Sequence, residues 1–144
     1  MSREEQLLFL VSGLRDLAHR FIQAEFKQRG IKGVEPSHGA IVSQLYLHGP
    51  LPMSRLALLI GKRKPTVTAL VKKLLAHGYV EQGPDPEDGR VTLVSLTTKS
   101  LALKADFLDI SRRMREIAYQ GFSSEERKQL IALLDKAIGN FQSR

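Results

Sequence analysis

Ser54-Arg55-Leu56-Ala57-Leu58-Leu59-Ile60-Gly61-Lys62-Arg63-Lys64-Pro65-Thr66-Val67-Thr68-Ala69-Leu70-Val71-Lys72-Lys73-Leu74-Leu75-Ala76-His77-Gly78 reads as two helices about one tight turn. Ser54 can cap a short helix from Arg55 to Ile60, its hydroxyl taking one of the free amides of the first turn. Leu56, Leu59 and Ile60 face inward, and Gly61 breaks the helix. Pro65 suits a restart near position 65, because its missing N–H is not needed in a first turn. The second helix runs to His77-Gly78. Its inner face is Val67, Leu70, Val71, Leu74 and Leu75. At 100° per residue the opposite face is Pro65, Ala69, Lys72, Lys73 and Ala76, small and basic.

The charge around this stretch is one-sided. From Pro36 to Val80 there is no Asp or Glu, and six cations stand there: Arg55, Lys62, Arg63, Lys64, Lys72 and Lys73. The whole chain carries 22 Lys and Arg against 15 Asp and Glu, a net +7. The window therefore holds most of the excess. A scattered excess would serve solubility; a stripped face attracts a polyanion. A plain basic helix in solvent is the bland alternative. Against it, Lys62, Arg63 and Lys64 sit at a helix N-terminus, where positive charge opposes the helix dipole at a cost of about 0.3–1 kcal/mol each. Such local violations concentrate at functional sites. As phosphate clamps the three would make sense.

Outward from this core, Tyr79, Val80 and Glu81 begin a strand. Gly83-Pro84-Asp85-Pro86-Glu87-Asp88-Gly89 is dense in turn formers, and Val91 to Leu96 is a second strand rich in Val, Thr and Leu. The loop fits a plain hairpin turn. It fits equally a wing that aims Arg90 at a minor groove, with Asp88 pairing to orient it. Upstream, Leu7, Leu10, Leu14, Leu17 and Phe21 form a helical stripe that ends near Gly30. Pro36 opens a further helix whose apolar side is Ile41, Leu45 and Leu47, stopped by His48-Gly49-Pro50. Downstream, Thr97 or Thr98 caps one long helix with Leu103, Phe107, Ile110, Met114 and Ile117 in register. After Gly121-Phe122, Ser123 with Glu126 has the capping-box pattern, and Leu130, Leu134, Ala137 and Phe141 mark a last helix.

Other chemistries find little support. The 144 residues are enough for one domain with a real core. There is no cysteine, which excludes disulfides, thiolate metal sites and thiol redox sensing. The start is acidic where a secretory signal would be basic and then apolar, and no apolar run nears the ~20 residues of a membrane span. We expect a soluble, cytoplasmic protein with no membrane partner. No phosphate cradle, His-Glu-x-x-His or Gly-x-Ser-x-Gly is present, so no catalytic residue, cofactor or metal is assigned. Glu35 and His38 are the one metal-like pair, and a salt link near a helix start explains them better.

Residues 51 to 99 resemble the MarR family of bacterial winged helix-turn-helix transcription regulators. The matching stretches are Met53-Ser54-Arg55-Leu56-Ala57, Lys64-Pro65-Thr66-Val67-Thr68-Ala69-Leu70-Val71-Lys72-Lys73-Leu74 and His77-Gly78-Tyr79-Val80-Glu81. They continue in Asp85-Pro86-Glu87-Asp88-Gly89-Arg90 and Val94-Ser95-Leu96-Thr97. The resemblance implies a mainly α fold with a small β-hairpin wing, set in an intertwined helical homodimer. Residues 1–34 and 101–144 would form the helical dimerisation region, and 35–100 the winged helix-turn-helix. Dimer contacts would fall on Leu7, Leu10, Leu14, Leu17, Met114, Ile117, Leu130, Leu134 and Phe141. Pro65, Thr66, Thr68, Ala69 and Lys72 would enter a major groove. Arg90 would meet the minor groove, and Arg55, Lys62, Arg63, Lys64 and Lys73 would add phosphate contacts. Two departures stand out. Arg63-Lys64 opens the second helix where many members have a serine cap, and Ser100 replaces a common glycine. The implied function is a sequence-specific, ligand-responsive repressor that binds duplex DNA at a palindrome and answers to a small-molecule effector whose contacts the sequence does not mark. The rival is a winged-helix interaction module for an acidic protein partner.

Overall fold

The computed structural model describes residues 1–144. After a single 3-10 turn, α1 (Leu7–Gln28) leads through a glycine-rich loop to α2 (Pro36–His48). Then come β1 (Leu51–Pro52), α3 (Met53–Ile60), α4 (Lys64–Ala76), β2 (Val80–Pro84), β3 (Thr92–Leu96), α5 (Thr98–Ala102), α6 (Lys104–Ala118) and α7 (Ser124–Gln142). The three strands form an antiparallel sheet ordered β1-β3-β2, with Val80 opposite Leu96 and Gln82 opposite Val94.

One core holds the lobe together. Ile41, Val42 and Leu45 of α2, Leu56 of α3, Val67, Val71 and Leu74 of α4, and Val80 and Val94 of the sheet are all buried. Each fully buried Val or Leu contributes roughly 1.5–3 kcal/mol by leaving water. The cluster extends to Phe26 of α1 and Phe107 and Ile110 of α6, and the Phe26 and Phe107 rings lie 5.4 Å apart. The lobe is thereby seated on the C-terminal end of α1 and the first half of α6. Elsewhere these helices keep their apolar rows in the open. Leu7, Leu10, Leu14, Leu17 and Ile117 are exposed, and α7 buries no residue at all.

The expected helix positions hold, with five differences. The short helix begins at Met53, not at a Ser54 cap. Its N-cap is Pro52, in extended conformation. The reason is a third strand that the sequence reading did not include: Leu51 and Pro52 pair with Val94 and Leu93, so the chain is held extended until Met53. The single long helix after Thr97 is two. Thr97 does cap it, its hydroxyl accepting the Ser100 N–H, but the helix stops after five residues and restarts past Leu103. Leu47 does not share the apolar side of α2. It is 74% exposed, because it lies about 240° around the helix from Ile41, while Val42 takes the buried place. Glu35 and His38 form no salt link. The His38 Nδ1 accepts the Glu35 backbone N–H at 3.0 Å, closing the first turn of α2. Burial holds the His38 pKa below its ordinary value, which keeps that nitrogen an acceptor. Finally, β2 runs on through Pro84, so the turn is shorter than the turn-forming residues imply.

Two expected caps form as read. Ser123 accepts the Glu126 N–H at 3.1 Å and its own N–H donates to the Glu126 carboxylate at 2.9 Å. Gly61 closes α3 in the left-handed region, φ 67°, where a side chain would be strained.

Candidate nucleic-acid interface

α3 and α4 meet through their apolar faces and leave one polar face outward. The turn is fixed by two backbone bonds after the left-handed Gly61, from Gly61 N–H to Leu58 and from Lys62 N–H to Ala57. This geometry leaves Lys62 and Arg63 exposed ahead of α4 and Lys64 exposed as its first residue, at an N-terminus that no side chain caps. On α4 itself Pro65, Thr66, Thr68, Ala69, Lys72 and Lys73 are exposed, on the side opposite Val67, Val71 and Leu74. Thr68 returns its hydroxyl hydrogen to the Lys64 carbonyl at 2.9 Å, which leaves its oxygen to accept. Thr66 makes no side-chain hydrogen bond of its own.

The electrostatics follow from the missing acids. Ion pairs occur between Arg15 and Asp16, among Arg29, Glu25, Asp106, Asp109, Arg112, Arg113 and Glu116, and at Arg90. Arg55, Lys62, Arg63, Lys64, Lys72 and Lys73 take part in none of them. All six are exposed, and none has an internal ion-pair partner to give up before meeting an external anion.

The wing is built differently. Asp85 accepts the Glu87 N–H, and backbone bonds from Asp85 to Val91 and from Val91 to Asp88 close the loop. Asp88 grips Arg90 with both oxygens, Oδ1 to Nε at 3.0 Å and Oδ2 to Nη2 at 3.2 Å, and also takes its backbone N–H. The guanidinium holds the Asp88 carboxyl below the usual carboxylate range. Arg90 is nonetheless 91% exposed, with Nη1 free. The pairing thus fixes the direction of a side chain that solvent fully reaches.

The residues expected at a dimer contact divide in two. Leu14, Leu17, Met114 and Ile117 come together, with Ala18, Phe21 and Ala118, around a wholly apolar hollow of about 260 Å³ between α1 and α6. Leu7 and Leu10 continue the same helix outward. Leu130, Leu134 and Phe141 stand on α7 and do not reach that hollow.

The sequence reading missed a charged clasp at the foot of the stem, the part of the chain built by α1 and α6. Arg29, the C-cap of α1, donates to Asp106 at 3.0 Å and Asp109 at 2.6 Å on α6. Glu25, almost wholly buried, bridges Arg29 and Arg113. No periodicity marks a pair separated by some 80 positions; only the crossing of α1 and α6 makes it. No group of three His, Cys, Asp or Glu side chains is arranged to hold a metal ion, and no helix is long and apolar enough to cross a membrane.

Known proteins share this arrangement. The MarR family model matches residues 32–91. The chain is 33% identical over 109 residues to YkoM, an uncharacterized HTH-type transcriptional regulator of Bacillus subtilis, covering 73% of this chain and 68% of that protein. It is 30% identical over 91 residues to the HTH-type transcriptional repressor NicR of Pseudomonas putida, covering 63% of this chain and 58% of NicR. In three dimensions it is similar to Staphylococcus aureus MepR, solved in complex with DNA, with a TM-score of 0.81, 21% identity, and coverage of 97% of this chain and 98% of that one. On the family match and the likeness to YkoM together, the chain belongs to the MarR family of DNA-binding transcription regulators, proteins that catalyse no reaction.

Proposed function

We propose that the chain represses transcription as a homodimer that binds an inverted-repeat operator and is released by a small molecule. The observation that carries this reading is the exposed face of α3 and α4, six cations without an internal partner. In each subunit Pro65, Thr66, Thr68, Ala69 and Lys72 enter a major groove, and the remaining cations contact phosphate. Arg90, aimed by Asp88, reaches the adjoining minor groove. Residues 35–100 form the DNA-binding lobe, and 1–34 with 101–144 the dimerisation region. Acting on chromosomal DNA places the protein in the cytoplasm.

The dimer is supported by what the single chain leaves uncovered. α1 shows Leu8, Phe9, Leu14 and Leu17 to solvent, and α7 shows Ile131, Leu133, Ile138 and Phe141. An isolated 19-residue helix that buries nothing is marginal in water. Apolar patches of this extent signal an interface. Two-fold pairing would cover both surfaces at once. The test is selection from a random-sequence duplex pool. It should enrich two inverted half-sites whose centres lie about 34–36 Å apart, one helical turn. Enrichment of no sequence would exclude the reading and favour an acidic protein partner.

Release is proposed to come from a ligand in the hollow of about 200 Å³ where α1, α2 and α6 converge. Ile22, Phe26, Phe107 and Ile110 give it apolar walls, while Ser43 and Ser111 offer hydroxyls. It lies at the seam between stem and lobe. A ligand there acts only by preferring a lobe placement that DNA does not, and a preference of about 1–3 kcal/mol weakens DNA binding roughly 5–150-fold. Without cysteine, thiol oxidation cannot serve as the signal. In a binding assay, aromatic acids and phenols are expected to release the duplex, whereas mild peroxide leaves it bound. Peroxide release reversed by a thiol reductant would sink this part.

A further inference from the structure

The hydrogen bonds at the exit of α4 converge on one short element. After Ala76 the chain leaves the helix through His77, Gly78 and Tyr79, and α5 with its cap claims all three carbonyls. Lys99 Nζ donates to His77 at 2.9 Å, Thr97 Oγ1 to Gly78 at 2.6 Å, and Ser100 Oγ to Tyr79. The Ser100 carbonyl in turn accepts the hydroxyl of Tyr46 on α2. The Tyr79 hydroxyl donates the other way, to the Lys32 carbonyl in the loop between α1 and α2. Ser100 is 0% and Tyr79 1% exposed. The same loop presses on the helix exit so closely that a Cβ on Gly33 would stand 2.5 Å from the His77 ring.

This places the end of α4 under restraint from both stem helices. α5 runs directly into α6, and the Lys32 loop is the continuation of α1. A hydrophobic core alone tolerates small sliding of one element on another; directional bonds to fixed carbonyls do not. We propose that Tyr79 and Ser100 are positioning residues that set the pose of α4 against the stem, and so the spacing of the two recognition helices. The proposal rests on the dimeric DNA-binding reading above. Both side chains are buried and neither can touch DNA. Their effect is enlarged by geometry: α4 is 13 residues, about 20 Å long, and two-fold symmetry applies any tilt twice. Ser100 also accounts for its own departure from the family's glycine. A glycine there would have no hydroxyl to offer the Tyr79 carbonyl.

Two variants test this from different ends. Tyr79→Phe removes the bond to Lys32 and keeps the ring in the core. Ser100→Ala removes the bond to the Tyr79 carbonyl, which still accepts the Thr97 N–H at 3.3 Å. Either can be read if the other folds poorly. The probes are duplexes enriched by the wild-type protein from a random pool: the full site, the same site with one base pair inserted between its halves, and a single half-site. Wild type should prefer the full site over the other two. Each variant should lose roughly 2–12-fold on the full site, the worth of one net hydrogen bond, with little change on the single half-site and a flatter dependence on spacing. Equal loss on all three duplexes, or no loss on any, overturns the proposal. Failure of wild type to enrich any sequence overturns the functional reading, and the positioning role with it.

Discussion

Affinity for duplex DNA is expected to collapse with salt, falling roughly 10³–10⁵-fold between about 50 and 200 mM for roughly 6–10 phosphates neutralised. The basis is the set Arg55, Lys62, Arg63, Lys64, Lys72, Lys73 and Arg90, present twice in a dimer. Each cation seated on a phosphate releases condensed counterions, so log K falls with log salt at a slope of about −0.9 per phosphate. Six of the seven have no internal ion pair to break, which is why the effect should be large. Arg90 differs. It is already held by Asp88, and in the proposed function it reaches a groove. Arg90→Ala should weaken specific binding by about 1–3 kcal/mol without moving the melting temperature, because a side chain 91% exposed supports none of the core. Titration of a labelled duplex at several salt concentrations measures both. A flat slope would remove DNA as the target.

Ile117→Glu is expected to destroy the dimer while leaving each lobe intact. In a single chain the substitution is harmless, since Ile117 is 55% exposed and exposed substitutions usually stay within about 0.5 kcal/mol. In the proposed dimer the same side chain lies beside Leu14, Leu17 and Met114 under the partner. Burying an unpaired carboxylate there costs several kcal/mol, and symmetry imposes it twice. The two cases therefore differ widely in size, a near-neutral change against a large penalty. Leu134→Glu on α7 should act alike. Sedimentation reads the assembly and circular dichroism the fold. A variant that stays dimeric with wild-type DNA affinity would show that the α1–α6 hollow is not the interface. DNA binding should fall with the dimer, because two half-sites engaged together bind far more tightly than one.

The α3–turn–α4 unit was legible in the residues because its causes are local. Gly61 supplies a left-handed turn, Pro65 starts a helix, and the 3.6-residue period sorts Val67, Val71 and Leu74 from Ala69, Lys72 and Lys73. The wing was legible through its turn formers, and the Asp88–Arg90 pair through a separation of two. The family followed from the order of these motifs. What the sequence alone determined, then, was the pair of helices about their glycine turn, the hairpin with its Asp88–Arg90 pair and the Ser123–Glu126 cap, each set by residues close in the chain.

The rest depended on contacts between distant segments. Leu51–Pro52 became a strand only because β3 lies beside it, and that pairing moved the start of α3. Thr97 capped a helix as expected, yet the break at Leu103 arises where α5 docks on the exit of α4 and α6 departs along the stem. The Arg29 clasp joins positions far apart in the chain, and the Tyr46–Ser100–Tyr79–Lys32 bonds join four segments that share no pattern. A hydrogen-bond donor in a sequence has no direction. Packing gives it one, and so the tertiary structure alone decided how α4 is held.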